Sequence, residues 1–451
     1  MKDITISYLR PHKETFISNI INTNNFLGAL SHYVKVAVID TDLKNFGFRK
    51  LEKLNIDYLL TDVKNFGAMQ FILRERVKVN IPFIIILRTV YSWFEPLVQI
   101  IPLIRKEDII IAPTQYARES FLRISDKFKI QVIHHCLDVK YIQDNIASNI
   151  KKRNHKIIAY MGRLAKDKGV EALIDCMPEI MARVDKIHLN IIGPLSGGKI
   201  TDSPKSLFVE KLERKVAKNG LANNIHFLGL KLGLEKYKIL SEADVFVNPT
   251  ITKEETFGYV NIEAFACGVP VITTKWAGNK EVVIEGKNGY LIDIECNGKG
   301  EPGVNAEQLI SCIVNVLKEE RLNLRLRKNA AESAQNYDYR KIMPKLVKLL
   351  RKKRRAKLKS RWEVIKDKKV TDFSHLFNKD FWFFLYYSRL FRSETYASLY
   401  RKISKLDSLR SQYHPNRRDK RRINVRNTKD LKLTDKIRRN FSNFLLLKSL
   451  P

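Results

Sequence analysis

The chain has no apolar run near the ~20 residues that a membrane-crossing helix needs. Its opening, Met1-Lys-Asp-Ile-Thr-Ile-Ser-Tyr8, reads as a first strand rather than a signal peptide, so a cytoplasmic protein is expected. Cysteine is scarce. Cys136, Cys176, Cys267, Cys296 and Cys312 are odd in number, scattered, and without the paired spacing of a metal site, which argues for free thiols and against structural zinc. Acidic side chains are few, 48 against 82 Lys and Arg, for a net charge of +34. The imbalance is local: residues 351–451 hold 30 basic and 9 acidic groups, whereas residues 1–350 hold 52 and 39. No recognised nucleic-acid motif accompanies this charge, so nucleic acid is an unlikely partner.

What is present is enough for two core-bearing domains and an appendage: 451 residues, 44% of them hydrophobic. Over the first 150 residues apolar segments alternate with amphipathic ones at βαβ intervals, which predicts a parallel sheet covered by helices. Strands are expected at 4–8, 34–39, 58–60, 83–87, 109–112 and 131–134. Asp40-Thr41-Asp42 has the form of a metal-binding carboxylate pair, but three residues at a strand end make a weak motif, and an Asp there more often caps the next segment. No metal and no cofactor are expected. The polar and basic stretch from Asp144 to His155 reads as an interdomain linker.

The second half is more specific. Ile157-Ile-Ala-Tyr-Met-Gly162-Arg163-Leu-Ala-Lys166-Asp167-Lys168-Gly169 is a strand running into a Gly-Arg turn before an amphipathic segment. Arg163 is suited to grip phosphate oxygens bidentately, with Lys168 as a point charge beside it. Farther on come Ala243-Asp-Val-Phe-Val-Asn248-Pro-Thr250, then Glu255-Thr-Phe-Gly258-Tyr-Val-Asn-Ile-Glu263, then Ala264-Phe-Ala-Cys267-Gly268-Val-Pro270-Val-Ile-Thr273. This predicts strand, loop, helix, strand, with Gly268 in the left-handed position that ends the helix and Pro270 preventing its continuation. Glu255 falls in the loop at the strand's C-terminal end. The amides of Phe257, Gly258 and Tyr259 start the helix, so a carboxylate and anion-binding donors converge. Taken alone, two glutamates there are a cap and a solvated face, and a lone Gly-Arg turn is a solvated helix start.

Together these segments resemble the retaining glycosyltransferases of family 4, the group 1 glycosyl transferases, whose GT-B fold is two Rossmann-like parallel-sheet domains facing a cleft. The resemblance covers residues 4–350, firmly over 157–293. It implies an acceptor-side domain at 1–150, a nucleotide-sugar domain at 155–335, helices returning to the first domain at 336–355, and a basic tail at 356–451. It implies Arg163 and Lys168 on the donor diphosphate, Glu255 on sugar hydroxyls, Glu263 on ribose, and Gly162 and Gly193 in turns around the nucleotide. The implied activity is hexosyl transfer from a UDP-sugar, or a GDP-sugar, to a saccharide or lipid-linked acceptor with retention, in polysaccharide or glycolipid synthesis. A donor phosphate oxygen then takes the acceptor proton, so no side-chain base is required. The first domain departs from the pattern: Leu9-Arg-Pro-His12-Lys13 replaces a Gly-rich loop, Arg88-Thr89 stands where a histidine is common, and Cys136 replaces a turn glycine.

Arg351-Lys-Lys-Arg-Arg355-Ala-Lys-Leu-Lys359 and the cluster Phe381-Trp-Phe-Phe-Leu-Tyr-Tyr387 make residues 351–451 a candidate for an anionic membrane surface, with a plain helical module as the other reading. The rival functions are a silent sugar-binding scaffold, a nucleotide-sugar epimerase on the same fold, and nucleic-acid binding through the tail. His226, on an apolar strand, reads as a packed core histidine.

Overall fold

The computed structural model describes residues 3–11, 17–41, 56–62, 70–71, 74, 81–88, 100–146, 153–196, 205–252, 254–296 and 302–352. The basic tail, Asp42, His12, Lys13 and Thr89 lie outside them. The first domain is one parallel sheet of six strands: β1 (Thr5–Pro11), β2 (Lys35–Thr41), β3 (Tyr58–Asp62), β4 (Phe83–Ile86), β5 (Ile109–Ala112) and β6 (Ile130–Val132), in the order β2-β1-β3-β4-β5-β6. Its centre is almost pure β-branched hydrocarbon; every residue of β4 and β5 is buried, as a parallel sheet covered on both faces requires. Helix α1 (Ile17–Ser31) packs beside β2, and α2 (Gln115–Leu122) follows β5. A fully buried Arg74 is held bidentately by Asp108 at 2.7 and 3.0 Å and stacks on the Phe83 ring at 4.0 Å.

The chain leaves the first domain at Leu137. Helix α3 (Val139–Ile146) buries Val139, Ile142 and Ile146 in the core of the second domain, so the polar linker begins on a helix already docked there. The second sheet contains β7 (Lys156–Met161), β8 (Ile187–Ile192), β9 (Ile225–Gly229), β10 (Val245–Asn248), β11 (Val271–Thr274) and β12 (Gly289–Ile292), ordered β12-β11-β10-β7-β8-β9 and all parallel. Apolar side chains from both faces meet helices α4 (Val170–Arg183), α5 (Leu207–Lys218), α6 (Gly233–Ser241), α7 (Tyr259–Ala266), α8 (Asn279–Val282), α9 (Ala306–Lys318) and α10 (Glu320–Ala334). A small hairpin, β13 (Ile294–Cys296) with β14 (Pro302–Val304), precedes α9.

Helix α11 (Tyr339–Lys352) then returns to the first domain, burying Ile342, Met343, Leu346, Val347 and Leu350 against β1 and β3 residues. Outgoing and returning chains bridge each other where they cross: Leu137 N donates to Tyr337 O, Tyr339 N to Leu137 O, both at 2.9 Å, and the Asp338 carboxylate accepts from Val139 N. Both sheets thus turn their C-terminal edges to the gap between the domains, and in the second sheet the strand order reverses between β7 and β10. Ligands in open α/β sheets bind outside such a reversal.

Candidate active site between the two domains

The loops after β7 and β10 flank that reversal and are sewn together. Asp167 O accepts from Ile251 N at 2.9 Å and from Thr250 Oγ1 at 3.3 Å. The β11 edge ties the same loop at successive points: Thr273 Oγ1 donates to Asn248 O, Thr274 Oγ1 to Thr250 O, Trp276 Nε1 to Thr252 O and Gly278 N to Glu255 O, at 2.6–2.9 Å. Glu255 is therefore carried on a loop with little freedom. Backbones also approach closely at Gly193, where a Cβ would lie 2.1 Å from Gly162 O, and Gly193 N donates to Gly229 O. Gly162 and Gly193 form one edge of this region through backbone contact.

Arg163 and Lys168 fall on one turn, closed by a 3₁₀ segment at Lys166–Lys168. Lys168 Nζ lies 2.6 Å from Glu255 Oε2, and Glu255 Oε1 accepts from Gly258 N at 3.0 Å. The carboxylate is fixed from two sides. Arg163 Nη2 is 3.2 Å from Asp167 Oδ2, and the Tyr160 hydroxyl donates to Arg163 O at 2.9 Å. The Gly258 amide, expected among the anion-binding donors, is thus already engaged by Glu255.

Gly258 sits at φ +79°, and a Cβ there would be 2.5 Å from both Asn261 Nδ2 and Asn279 Oδ1, so only glycine fits above the buried amide chain Asn248–Asn261–Asn279. Helix α7 ends as expected: Gly268 takes φ +67°, with Val269 N on Ala264 O and Gly268 N on Phe265 O. The Phe257 side chain is buried against His134, His135 and Tyr337. Tyr259 reaches the other domain: its hydroxyl donates to Cys136 O at 3.1 Å and accepts from Asn25 Nδ2 at 2.9 Å. Cys136 has no left-handed backbone, so that turn did not need glycine. Glu263 is 4% exposed, and its Oε1 takes both Lys236 Nζ at 2.6 Å and the Tyr237 hydroxyl at 3.2 Å. Burial beside that carboxylate pushes the Tyr237 hydroxyl far above the usual phenol range.

Sequence reasoning missed the cross-domain contacts. The Glu281 carboxylate on α8 accepts from Gln115 N and Tyr116 N at 2.8 and 2.6 Å, capping α2 of the first domain. Thr114, the N-cap residue of α2, donates to Thr256 O at 2.6 Å, and Thr256 Oγ1 donates to Arg88 O at 2.5 Å. Burial, with Arg88 and His134 adding, holds His135 down at about 3, so its ring is neutral. His226 lies at the opposite end of its strand, half-buried, 3.1 Å from His188. Among the described residues no cluster of His, Cys, Asp and Glu is arranged to hold a metal ion.

Two parallel-sheet domains facing one cleft define the GT-B class. Residues 142–333 match the family model described as Glycosyl transferases group 1. The chain is 28% identical over 213 residues to spore coat protein SA of Bacillus subtilis (strain 168), covering 47% of this chain and 53% of that protein. It is 29% identical over 203 residues to the capsular polysaccharide biosynthesis glycosyltransferase CapM of Staphylococcus aureus, covering 44% and 47%. The chain spans about half the length of these relatives. Among solved structures, Anabaena HepE in complex with UDP and glucose matches with a TM-score of 0.57 at 17% identity, over 77% of this chain and all of that one. Sucrose-phosphate synthase from Thermosynechococcus elongatus matches with 0.60 at 18%, over 77% and 98%. The match to group 1 glycosyl transferases thus falls on residues 142–333, which hold the second sheet, and both sheets together have the GT-B architecture.

Proposed function

We propose that the protein is a glycosyltransferase that moves a hexosyl group from a nucleotide diphosphate sugar to a saccharide or lipid-linked acceptor, with retention. The observation that carries this reading is the Lys168–Glu255 pair at the strand-order reversal, with Arg163 on the same turn. Lys168 gives one of its three donors to Glu255 and keeps two for phosphate oxygens. Each Glu255 oxygen accepts one bond and has a further lone pair for a sugar hydroxyl. Positive and negative groups are thereby set against the phosphate and sugar ends of one ligand. Glu263 Oε1 is engaged by Lys236 and Tyr237, and the reading assigns Oε2 to ribose.

In this mechanism the bond between the sugar's anomeric carbon and the donor phosphate breaks while the acceptor oxygen bonds that carbon from the same face. The acceptor proton passes to the departing phosphate oxygen. Arg163 and Lys168 stabilise the charge developing on the diphosphate, with no metal required. A UDP-sugar is favoured over a GDP-sugar, supported by HepE having been solved with UDP. CapM, a glycosyltransferase of capsular polysaccharide biosynthesis, supports a role in polysaccharide or glycolipid synthesis. Incubation with radiolabelled UDP-glucose, UDP-N-acetylglucosamine and GDP-mannose should show hydrolysis or transfer that Glu255→Gln abolishes. If no donor is bound or hydrolysed and that variant behaves as wild type, the reading is wrong.

We propose in addition a peripheral position on the inner membrane face, supported by one further observation. The exposed side of α11 carries Lys341, Lys345, Lys348, Arg351 and Lys352 and leads into the basic tail. Each such cation near an anionic bilayer contributes about 1 kcal/mol. The full chain should sediment with phosphatidylglycerol vesicles, not with phosphatidylcholine vesicles, and be released by salt; equal pelleting with both would remove this reading.

A further inference from the structure

Arg88 stands two residues after the end of β4, at the first domain's edge of the cleft. Its carbonyl accepts from Thr256, the neighbour of Glu255, while its guanidinium points back to α1, where Nη1 donates to Thr23 Oγ1 at 2.6 Å. Its Nε is buried and has no hydrogen-bond partner, and no carboxylate among the described residues pairs with it. Its charge acts on His135 and on Tyr259, so it lies among the groups joining the two domains. A guanidinium offers five donors in a planar fork. A desolvated donor left unpaired, as Nε is, costs stability unless a ligand uses it.

We infer that Arg88 is a specificity residue that reads an anionic group, phosphate or carboxylate, on the acceptor. This rests on the reading of the cleft as a glycosyltransferase site. Position separates Arg88 from the donor cations: Arg163 and Lys168 belong to the second domain, whereas Arg88 is anchored on α1 of the first. A planar cation there matches the two-oxygen face of a phosphate monoester or a uronate and gives a neutral sugar no comparable bond. The protein therefore acts after reactions that install a phosphate or a carboxylate on the molecule it extends.

The test uses the full-length protein and four probes: sn-glycerol 3-phosphate against glycerol, and D-glucuronate against D-glucose. Binding is followed by ligand-observed NMR with and without saturating UDP, and UDP binding by calorimetry. Wild type should prefer one anionic probe to its neutral partner by about tenfold. Arg88→Gln should lose that preference, Arg88→Lys should keep part of it, and both should bind UDP within about twofold of wild type. The more strongly affected probe identifies phosphate or carboxylate. An unchanged preference in Arg88→Gln overturns the inference, because the anion is then held elsewhere. UDP affinity falling in step with probe affinity also overturns it, because the guanidinium then serves the donor. Failure of every nucleotide to bind refutes the transferase reading instead, and the probe measurements without UDP still decide the role of Arg88.

Discussion

The edges of the two sheets that meet at the cleft are built differently. On the second-domain side, Glu255 is held by Lys168 and by the Gly258 amide, and its loop is tied down by Thr273, Thr274, Trp276 and Gly278. On the first-domain side, the described loops offer mainly backbone groups to the other domain: the amides of Gln115 and Tyr116 to Glu281, the Arg88 carbonyl to Thr256, and the Cys136 carbonyl to Tyr259. The second domain thus has side-chain chemistry fixed in advance by local hydrogen bonds. The first supplies a docking surface and one unusual cation. Under the proposed function, such a division suits a donor half constrained by a common ligand and an acceptor half free to vary.

Three substitutions probe this difference. The largest effect is expected inside the first domain, away from the cleft. Asp108→Asn removes the counter-charge of a fully buried Arg74, and urea unfolding should show a loss of about 3–5 kcal/mol; a loss below about 1 kcal/mol would mean that the pair is not part of that core. His135 comes next. Its folded-state value near 3 lies below the ordinary 6.5, so its contribution to stability is complete above 6.5 and is lost as pH falls toward 3. Between those values this one site should account for about 1.4 kcal/mol per pH unit. His135→Gln should flatten the stability profile by that amount, and parallel profiles would contradict the burial. The smallest effect is expected for Glu281→Ala, which uncaps α2: about 0.5–2 kcal/mol of stability, with UDP affinity unchanged. Loss of UDP binding in that variant would show that the two edges are not separable.

The sheets were legible because buried parallel strands write themselves as short apolar runs, and every expected first-domain strand overlaps an observed one, with ends displaced by at most three residues. The second-domain edge was legible because its residues are neighbours in sequence: Arg163 and Lys168 share a turn, and Glu255 and Gly258 share a loop. Contacts between domains were not. Thr256 carries no local signal of a role, yet it grips Arg88, 168 positions away. Glu281 likewise carries no local signal of a role, yet it caps a helix 165 positions away. Neither bond leaves a periodicity or a local spacing, because its geometry is created only when the domains dock. The crossover at Leu137 and Asp338 was hidden for the same reason, since its bridge joins segments about 200 residues apart.

In the proposed reaction Lys168 and Glu255 act on opposite ends of one donor. Calorimetry of the full-length protein with UDP and with UDP-glucose, in wild type, Lys168→Ala and Glu255→Gln, tests it most directly. Lys168→Ala should weaken both ligands by about tenfold or more, as loss of a charge-assisted bond to phosphate requires. Glu255→Gln should hold UDP at least as tightly as wild type and lose the added affinity for UDP-glucose. Equal weakening of both ligands by Glu255→Gln, or wild-type binding by Lys168→Ala, would contradict the account.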